Sequence, residues 1–181
     1  MVEVFKNLPP ELVVFLVASL PIFELRGAIP LGILHYNLPL WKTLVLGILG
    51  NLLPVPFLLI LLRPIAIFTG RWRITKKFFE FLYDRARRKG VSIARLKLLG
   101  LYLFVAIPLP GTGAWTGSLV AEVFNMDFKH SLFAITLGVI TAGFVMTFVS
   151  SFGIIAVIVF FTALAVISYI LSRGSEGPLS Q

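Results

Sequence analysis

Cysteine is absent from the 181-residue chain, and histidine occurs only at His35 and His130. Without cysteine there is neither a disulfide nor a thiolate metal site. Two histidines far apart, with no helical pairing, argue against a histidine metal centre. No HExxH helix, Walker-type phosphate loop or GxSxG elbow occurs. With no nucleophile–base constellation, the chain is expected not to be an enzyme and to need no cofactor or metal.

Charge is also scarce. Charged residues make up 13% and hydrophobic residues 58%, with a mean hydropathy of +0.98. A soluble domain has roughly 25% and 45–50%. So little polar surface cannot face water, and the surrounding solvent must be lipid. The composition predicts an all-α integral membrane protein with one membrane domain, residues 1–181. Met1 to Leu8 carry Glu3 and Lys6 rather than a basic run, and no small-residue cleavage site follows, which does not fit a signal peptide.

The charge that is present is unevenly placed. The net charge is +8, and most of the 16 lysines and arginines fall between Arg71 and Lys97. A basic segment between apolar blocks marks a cytoplasmic loop. The expected location is the inner membrane, multi-pass, with segment 70–97 cytoplasmic, and nucleic acid is not an expected partner. Thr75, Phe78, Phe79, Leu82 and Ala86 share one helical face of this segment, while Lys76, Lys77, Glu80, Asp84, Arg87 and Arg88 share the other. One amphipathic interfacial helix is predicted, with Arg71, Arg73, Lys76, Lys77, Arg87 and Arg88 at the membrane surface facing anionic lipid. A topology signal with solvated charge is the plainer reading, and the two are compatible.

The apolar blocks are interrupted. Leu12 to Leu38 is broken by Pro21, Glu24, Arg26, Gly27 and Pro30, and Leu98 to Phe124 by the run Pro108 to Gly113. A spanning helix needs roughly 20 apolar residues, so neither block holds two spans. A re-entrant helical hairpin fits each, the first with its polar tip at Phe23 to Gly27. Irregular backbone at that depth must be shielded by protein or line a wet cavity. Thr43 to about Leu62 reads as a span kinked at Pro54 and Pro56. Further spans are expected at about Phe128 to Val149 and Ile154 to Leu171, joined by a tight turn near Ser150, Ser151 and Gly153.

FLVASLPIFELRGAIPLGIL and LPLWKTLVLGILGN in the first half match YLFVAIPLPGTGAWTGSLVA and NMDFKHSLFAITLG in the second in their order of features. The first repeat covers about 10–68 and the second about 98–171. With one span between them, the hairpins enter from opposite faces. The expected fold is therefore two opposed re-entrant helical hairpins plus about three transmembrane helices in an inverted repeat, a plan used by secondary transporters.

Glu24 and Arg26 are the leading site candidates, because an ionisable group at bilayer depth costs at least about 2.5 kcal/mol. Arg26 suits an anionic substrate group, and Glu24 suits proton coupling. The competing structural reading is a mutual ion pair, or Arg26 capping hairpin carbonyls. Gly111, Gly113 and Gly117 allow close backbone approach, Thr112 and Thr116 add hydroxyls, and amides at a half-helix start can hold an anion. Pro108 and Pro110 complete this second candidate group. The same residues equally serve a turn with tight packing. Trp115 is a candidate gate or substrate contact, or core. Asn51 and Glu122 are candidates for a polar path, with Asn51 more often bonding a neighbouring helix. Glu122, Asp127, His35 and His130 read as interfacial.

FELRGAIPLGI at Phe23–Ile33 and IPLPGTGAWTGSLVA at Ile107–Ala121 resemble the small multidrug export protein family, with the likeness running from about Leu12 to Leu171. The plan also resembles the broader DedA, or VTT-domain, membrane proteins. That resemblance implies opposed re-entrant hairpins and the moving or scrambling of lipids, including polyprenyl phosphate carriers. A first-hairpin Glu of those proteins matches Glu24 in kind. The second-hairpin arginines typical of them do not occur in Pro108 to Gly117, which leaves Arg26 to supply the charge.

The expected function is a small secondary transporter or lipid flippase of DedA-like type, moving an amphipathic substrate with proton coupling at Glu24. One alternative is efflux of lipophilic cations, with Glu24 as counter-charge and Trp115 and phenylalanines as the wall. Another is a non-transporting membrane-organising or assembly factor acting through its basic helix. Membrane lipids and a small amphipathic substrate are the expected partners, and pairing into a homodimer is left open.

Single cysteines at Leu8, Asn37, Gly90, Asn125 and Ser175 test the topology with an impermeant thiol reagent. Leu8 and Asn37 should label from outside and the other three from inside. Labelling of Leu8 and Asn37 from opposite sides would make the first block a broken span.

Overall fold

The computed structural model describes residues 8–61, 93–109 and 111–174. The expected amphipathic helix, with Arg71, Arg73, Lys76, Lys77, Arg87 and Arg88, lies outside the described residues, as does Pro110. No strand occurs among the described residues, which form helices joined by short turns.

The first arm, α1 (Pro10–Ser19), begins with proline in its first turn, where the missing N–H costs nothing. Its 10 residues reach about 15 Å, half of a ~30 Å hydrocarbon core. It stops because Leu20 is extended, with ψ 140°, as steric pressure from the following Pro21 demands. The return arm is α2 (Glu24–Pro30), which continues as a π-helical turn, Leu31–His35. The turn between the arms therefore lies at residues 20–23, earlier than the expected tip at Phe23 to Gly27. Glu24 to Gly27 instead form the first turn of α2.

Next, α3 (Leu40–Leu52) and α4 (Val55–Leu61) form one apolar helix interrupted at Leu53–Pro54. That is the expected proline break. After it come α5 (Ile93–Ala106), α6 (Ala114–Val123), α7 (Phe128–Ser151) and α8 (Ile154–Gly174). Among the described residues, two helices are long and apolar enough to cross a membrane, Leu40–Leu61 and Phe128–Ser151. The turn into α8 is made at Gly153, with φ 91°. Asp127 caps α7 by accepting from the His130 amide and ring. The His130 hydrogen bond holds the Asp127 carboxyl below its usual pKa, so the cap stays charged into acidic pH.

Matching details recur along the chain. α1 packs along α3, and α5 along α7. Asn37 (φ 51°) and Asn125 (φ 48°), both left-handed, follow α2 with its π turn and α6 respectively. The buried Thr43 hydroxyl bonds the Pro39 carbonyl at 3.1 Å, and the buried Ser131 hydroxyl bonds the Asp127 carbonyl at 2.9 Å. Gly50 lies against the Phe15 carbonyl and Ala18, and Gly138 against the Tyr102 carbonyl and Val105. A Cβ at either glycine would overlap its neighbours, so the missing side chain sets each crossing distance. α2 packs on α1, α3 and α7, while α6 packs on α4, α5 and α7.

Leu25, Ile29, Leu101, Ile135 and Met146 are fully buried where these helices meet. Large apolar side chains also cover the outside, among them Trp41, Phe57, Phe133, Phe144, Phe148 and Ile155. In water such a surface drives association, and in lipid it is solvated.

Overfilling a close crossing should cost about 1–3 kcal/mol. Gly50→Leu and Gly138→Leu should each lower the melting temperature in detergent, whereas Val45→Ile, on the exposed face of α3, should not. Equal melting of all three variants would show that the crossings are not close.

Candidate functional site

The two irregular tips, residues 20–23 and the described residues 107–109 and 111–113, face each other, and the charged residues beside the first reach the backbone of the second. Glu24 begins α2 with φ 48°. A left-handed backbone at a non-glycine residue costs on the order of 1–3 kcal/mol and persists only where the surroundings enforce it. Here the side chain is 7% exposed, and its Oε1 accepts from the Trp115 amide at 3.3 Å. That amide belongs to the first turn of α6, where N–H groups lack helical partners and the helix dipole favours negative charge. Beneath the carboxylate lies Gly113, where a Cβ would overlap Glu24. Glycine at 113 thus reflects the space taken by a side chain from the other tip.

Arg26 does the converse. Its Nη1 donates to the Leu109 carbonyl and its Nη2 to the Thr112 hydroxyl at 3.0 Å. Leu109 follows the end of α5, where carbonyls have run out of helical donors. The Thr112 hydroxyl in turn sits 2.8 Å from the Ile107 carbonyl and 2.9 Å from the Leu109 carbonyl. Arg26 Nε is buried with no acceptor. No direct salt bridge joins Glu24 to Arg26, although the two charges lie close enough to act on each other. Arg26 caps hairpin carbonyls, but those of the opposite tip. Each charge therefore meets the backbone end of opposite polarity.

A third tie runs from the Trp115 indole Nε1 to the Ser19 carbonyl at 3.1 Å. Ser19 is the last residue of α1, so this bond also satisfies a free helix-end carbonyl.

Between the tips lies a cavity of about 360 Å³. Its polar lining comes from Glu24, Arg26, Gly111, Thr112 and Thr116, and its apolar lining includes Ile22, Phe23 and Phe161. Of the sequence candidates, Glu24, Arg26, Gly111 and Thr112 line it together. Gly113 is buried under Glu24, Pro108 is buried in the tip, and Trp115 turns its side chain into a different hollow. Asn51 is buried in α3 with its Oδ1 unpartnered and does not line this cavity. Glu122 lines a separate hollow of about 210 Å³ beside Met126 and Phe128.

Three participants escaped the sequence reading: Phe161 on α8 and the carbonyls of Ser19 and Leu109. The carbonyls had a signal, since each precedes a proline-containing break and so must lack a helical donor. Phe161 had none, because it is one phenylalanine in an apolar run.

The contact between Gly113 and Glu24 predicts a coupling. Gly113→Ala should destabilise the protein in its own background and much less beside Glu24→Ala, which vacates the space. The double-mutant cycle from detergent melting should give an interaction energy of about 0.5–3 kcal/mol. Strict additivity would mean that the two residues do not touch.

No curated protein and no solved structure matches the chain. A family match does exist. It runs from residue 24, the buried carboxylate, to residue 145 in α7, and so takes in both tips and the cavity between them. Because that match covers well over half of its length, the chain belongs to the family described as "Putative small multi-drug export protein".

Proposed function

We propose that the chain is a small secondary transporter that carries an amphipathic substrate through the cavity between the two tips. The observation that carries this reading is the crossed clamp. A buried carboxylate and a half-buried guanidinium hold the two tips together through groups that a substrate could also use. The family's description as an export protein agrees with it.

The clamp corresponds to a closed arrangement. A substrate phosphate or carboxylate competes with Glu24 for the α6 amides and with the Leu109 and Thr112 oxygens for Arg26. A protonated Glu24 no longer carries the charge that the α6 amides hold, so proton binding loosens the same contact. The partnerless atom in this group is a donor, Arg26 Nε, and a buried unpaired donor is costly. That favours a substrate bringing acceptors, hence an anionic polar group. A lipophilic cation is the second reading, favoured by the Phe23 and Phe161 rings beside Glu24 in the cavity lining.

The paired details of the fold support opposed re-entrant hairpins in an inverted repeat. Pro21 and Pro108, Asn37 and Asn125, Thr43 and Ser131, and Gly50 and Gly138 are separated by nearly the same number of residues. Each pair holds an equivalent place. Each return arm also packs on the long helix of the other half, α2 on α7 and α6 on α4. Arms of 10 to 14 described residues, about 15–21 Å, are shorter than a hydrocarbon core of about 30 Å. Two such units inverted about the membrane plane would bring their tips together near the middle, where alternating access needs a shared site. The basic segment would then face the cytoplasm of an inner-membrane protein.

Uptake into proteoliposomes separates the two substrate readings. For an anionic amphiphile, Arg26→Ala should cut transport at least tenfold while the protein stays monodisperse. For a lipophilic cation, Glu24→Gln should abolish transport and Arg26→Ala should leave it intact. Wild-type rates in both variants would remove the cavity from the transport path.

A further inference from the structure

One helix contributes to the cavity without belonging to either tip. α8 supplies Phe161, while the other lining residues come from the tips and from the first turns of α2 and α6. We infer that α8 is a lid hinged at Gly153, and that Phe161 is the side chain with which it closes the Glu24–Arg26 cavity. The inference rests on the reading of that cavity as a substrate site.

The packing of α8 sets it apart. It lies along α7 and has no other extensive helix neighbour among the described residues. Ala156, Val157, Phe160, Phe161 and Leu164 form a narrow stripe, of which only Val157 is buried. Ile154, Ile155, Ile158, Val159, Val166 and Ile167 are half or more exposed. The close crossings elsewhere are made at glycines, and both α7 glycines face other helices. Gly138 lies against Tyr102 and Val105 of α5, and Gly143 against Leu44 and Ile48 of α3. The Thr162 hydroxyl bonds the Ile158 carbonyl of its own helix at 2.8 Å. In lipid an apolar side chain loses little by exchanging a protein neighbour for an acyl chain. A stripe this narrow therefore holds α8 weakly.

The connection to α7 is short and unobstructed. α7 ends at Ser151 and α8 begins at Ile154. Gly153 has φ 91°, and nothing lies within 4 Å of the place its Cβ would take, so the backbone there can turn freely. Phe161 stands eight residues beyond it, about 12 Å along a helix. A hinge rotation of about 20° would move the ring by about 4 Å, roughly one contact distance between carbon atoms. The Phe160 and Phe161 rings meet edge to face at 5.8 Å, and both pack against the core. The pair that anchors α8 thus also closes the cavity.

Single cysteines report on the lid directly, because the chain has none of its own. Thr116→Cys places a thiol in the cavity lining. Its modification by a bulky methanethiosulfonate, in the full chain in phosphatidylcholine nanodiscs, should be at least tenfold faster when Phe161→Ala is added. Phe133→Cys on α7 and Val166→Cys on α8, both exposed, take a pair of spin labels. Electron–electron distance measurement should give two distances, and Phe161→Ala should shift weight to the less populated one. The labels lie outside the cavity lining, so a poorly folding Thr116→Cys protein does not decide the result.

An equal modification rate in Phe161→Ala would show that Phe161 does not close the cavity, and a single distance unmoved by Phe161→Ala would make α8 a fixed wall. Either result overturns the inference. Lid motion together with wild-type transport in Arg26→Ala and Glu24→Gln would remove the transport reading and keep the lid. Arg26-dependent transport with a motionless α8 would do the reverse.

Discussion

Two stretches of non-helical backbone meet beside apolar helices, and the helix ends that flank them carry amides and carbonyls without helical partners. Unsatisfied backbone groups away from water cost as much as a lost hydrogen bond or more. The chain meets this demand by crossing. Glu24, beside the first tip, accepts from the Trp115 amide in the first turn of α6, and Arg26 donates to the carbonyl of Leu109 and the hydroxyl of Thr112. The charges are tolerable because the other tip supplies dipoles of the right sign, and the tip backbone is tolerable because charges meet it. Removing either partner leaves the other exposed to the full cost of burial.

Much of the remaining architecture serves that meeting. Short arms cannot hold themselves, so α1 lies on α3 and α5 on α7 at crossings made close by Gly50 and Gly138. The long helices supply rigidity, and the tips supply polar contacts to one another. Close apolar packing resists small displacement, whereas a few hydrogen bonds exchange readily for others of the same kind. Motion is therefore expected at the tips before these crossings. The broken helix α3–α4 adds an apolar groove beside the tip, and α8 adds Phe161 to the cavity.

Several elements were legible in the sequence because their causes are local. Pro21 forces Leu20 out of helix, the Pro54 break follows from a missing donor, and the turn before α8 follows from Gly153. Glu24 and Arg26 stood out because charge is rare in this chain. The placement of the first turn was less legible, since Glu24 to Gly27 look like a polar tip yet form the first turn of α2. Periodicity could not reveal this, because the start of the helix is held by the Trp115 amide's bond to Glu24, far along the chain. The basic segment, the strongest feature of the composition, lies outside the described residues.

By itself the sequence determined that this is a helical protein suited to lipid, where its arms break, and which two charges are out of place in apolar surroundings. Those facts rest on composition and on the stereochemistry of proline and glycine, which act within a few residues. Only the tertiary structure decided that Glu24 and Arg26 make their direct hydrogen bonds with the opposite tip. It also decided that Gly113 yields space to a carboxylate and that Trp115 turns its ring into a hollow other than the cavity. Such pairings depend on which helix ends are left with free amides or carbonyls and on which ends packing brings together. Neither is encoded within one segment.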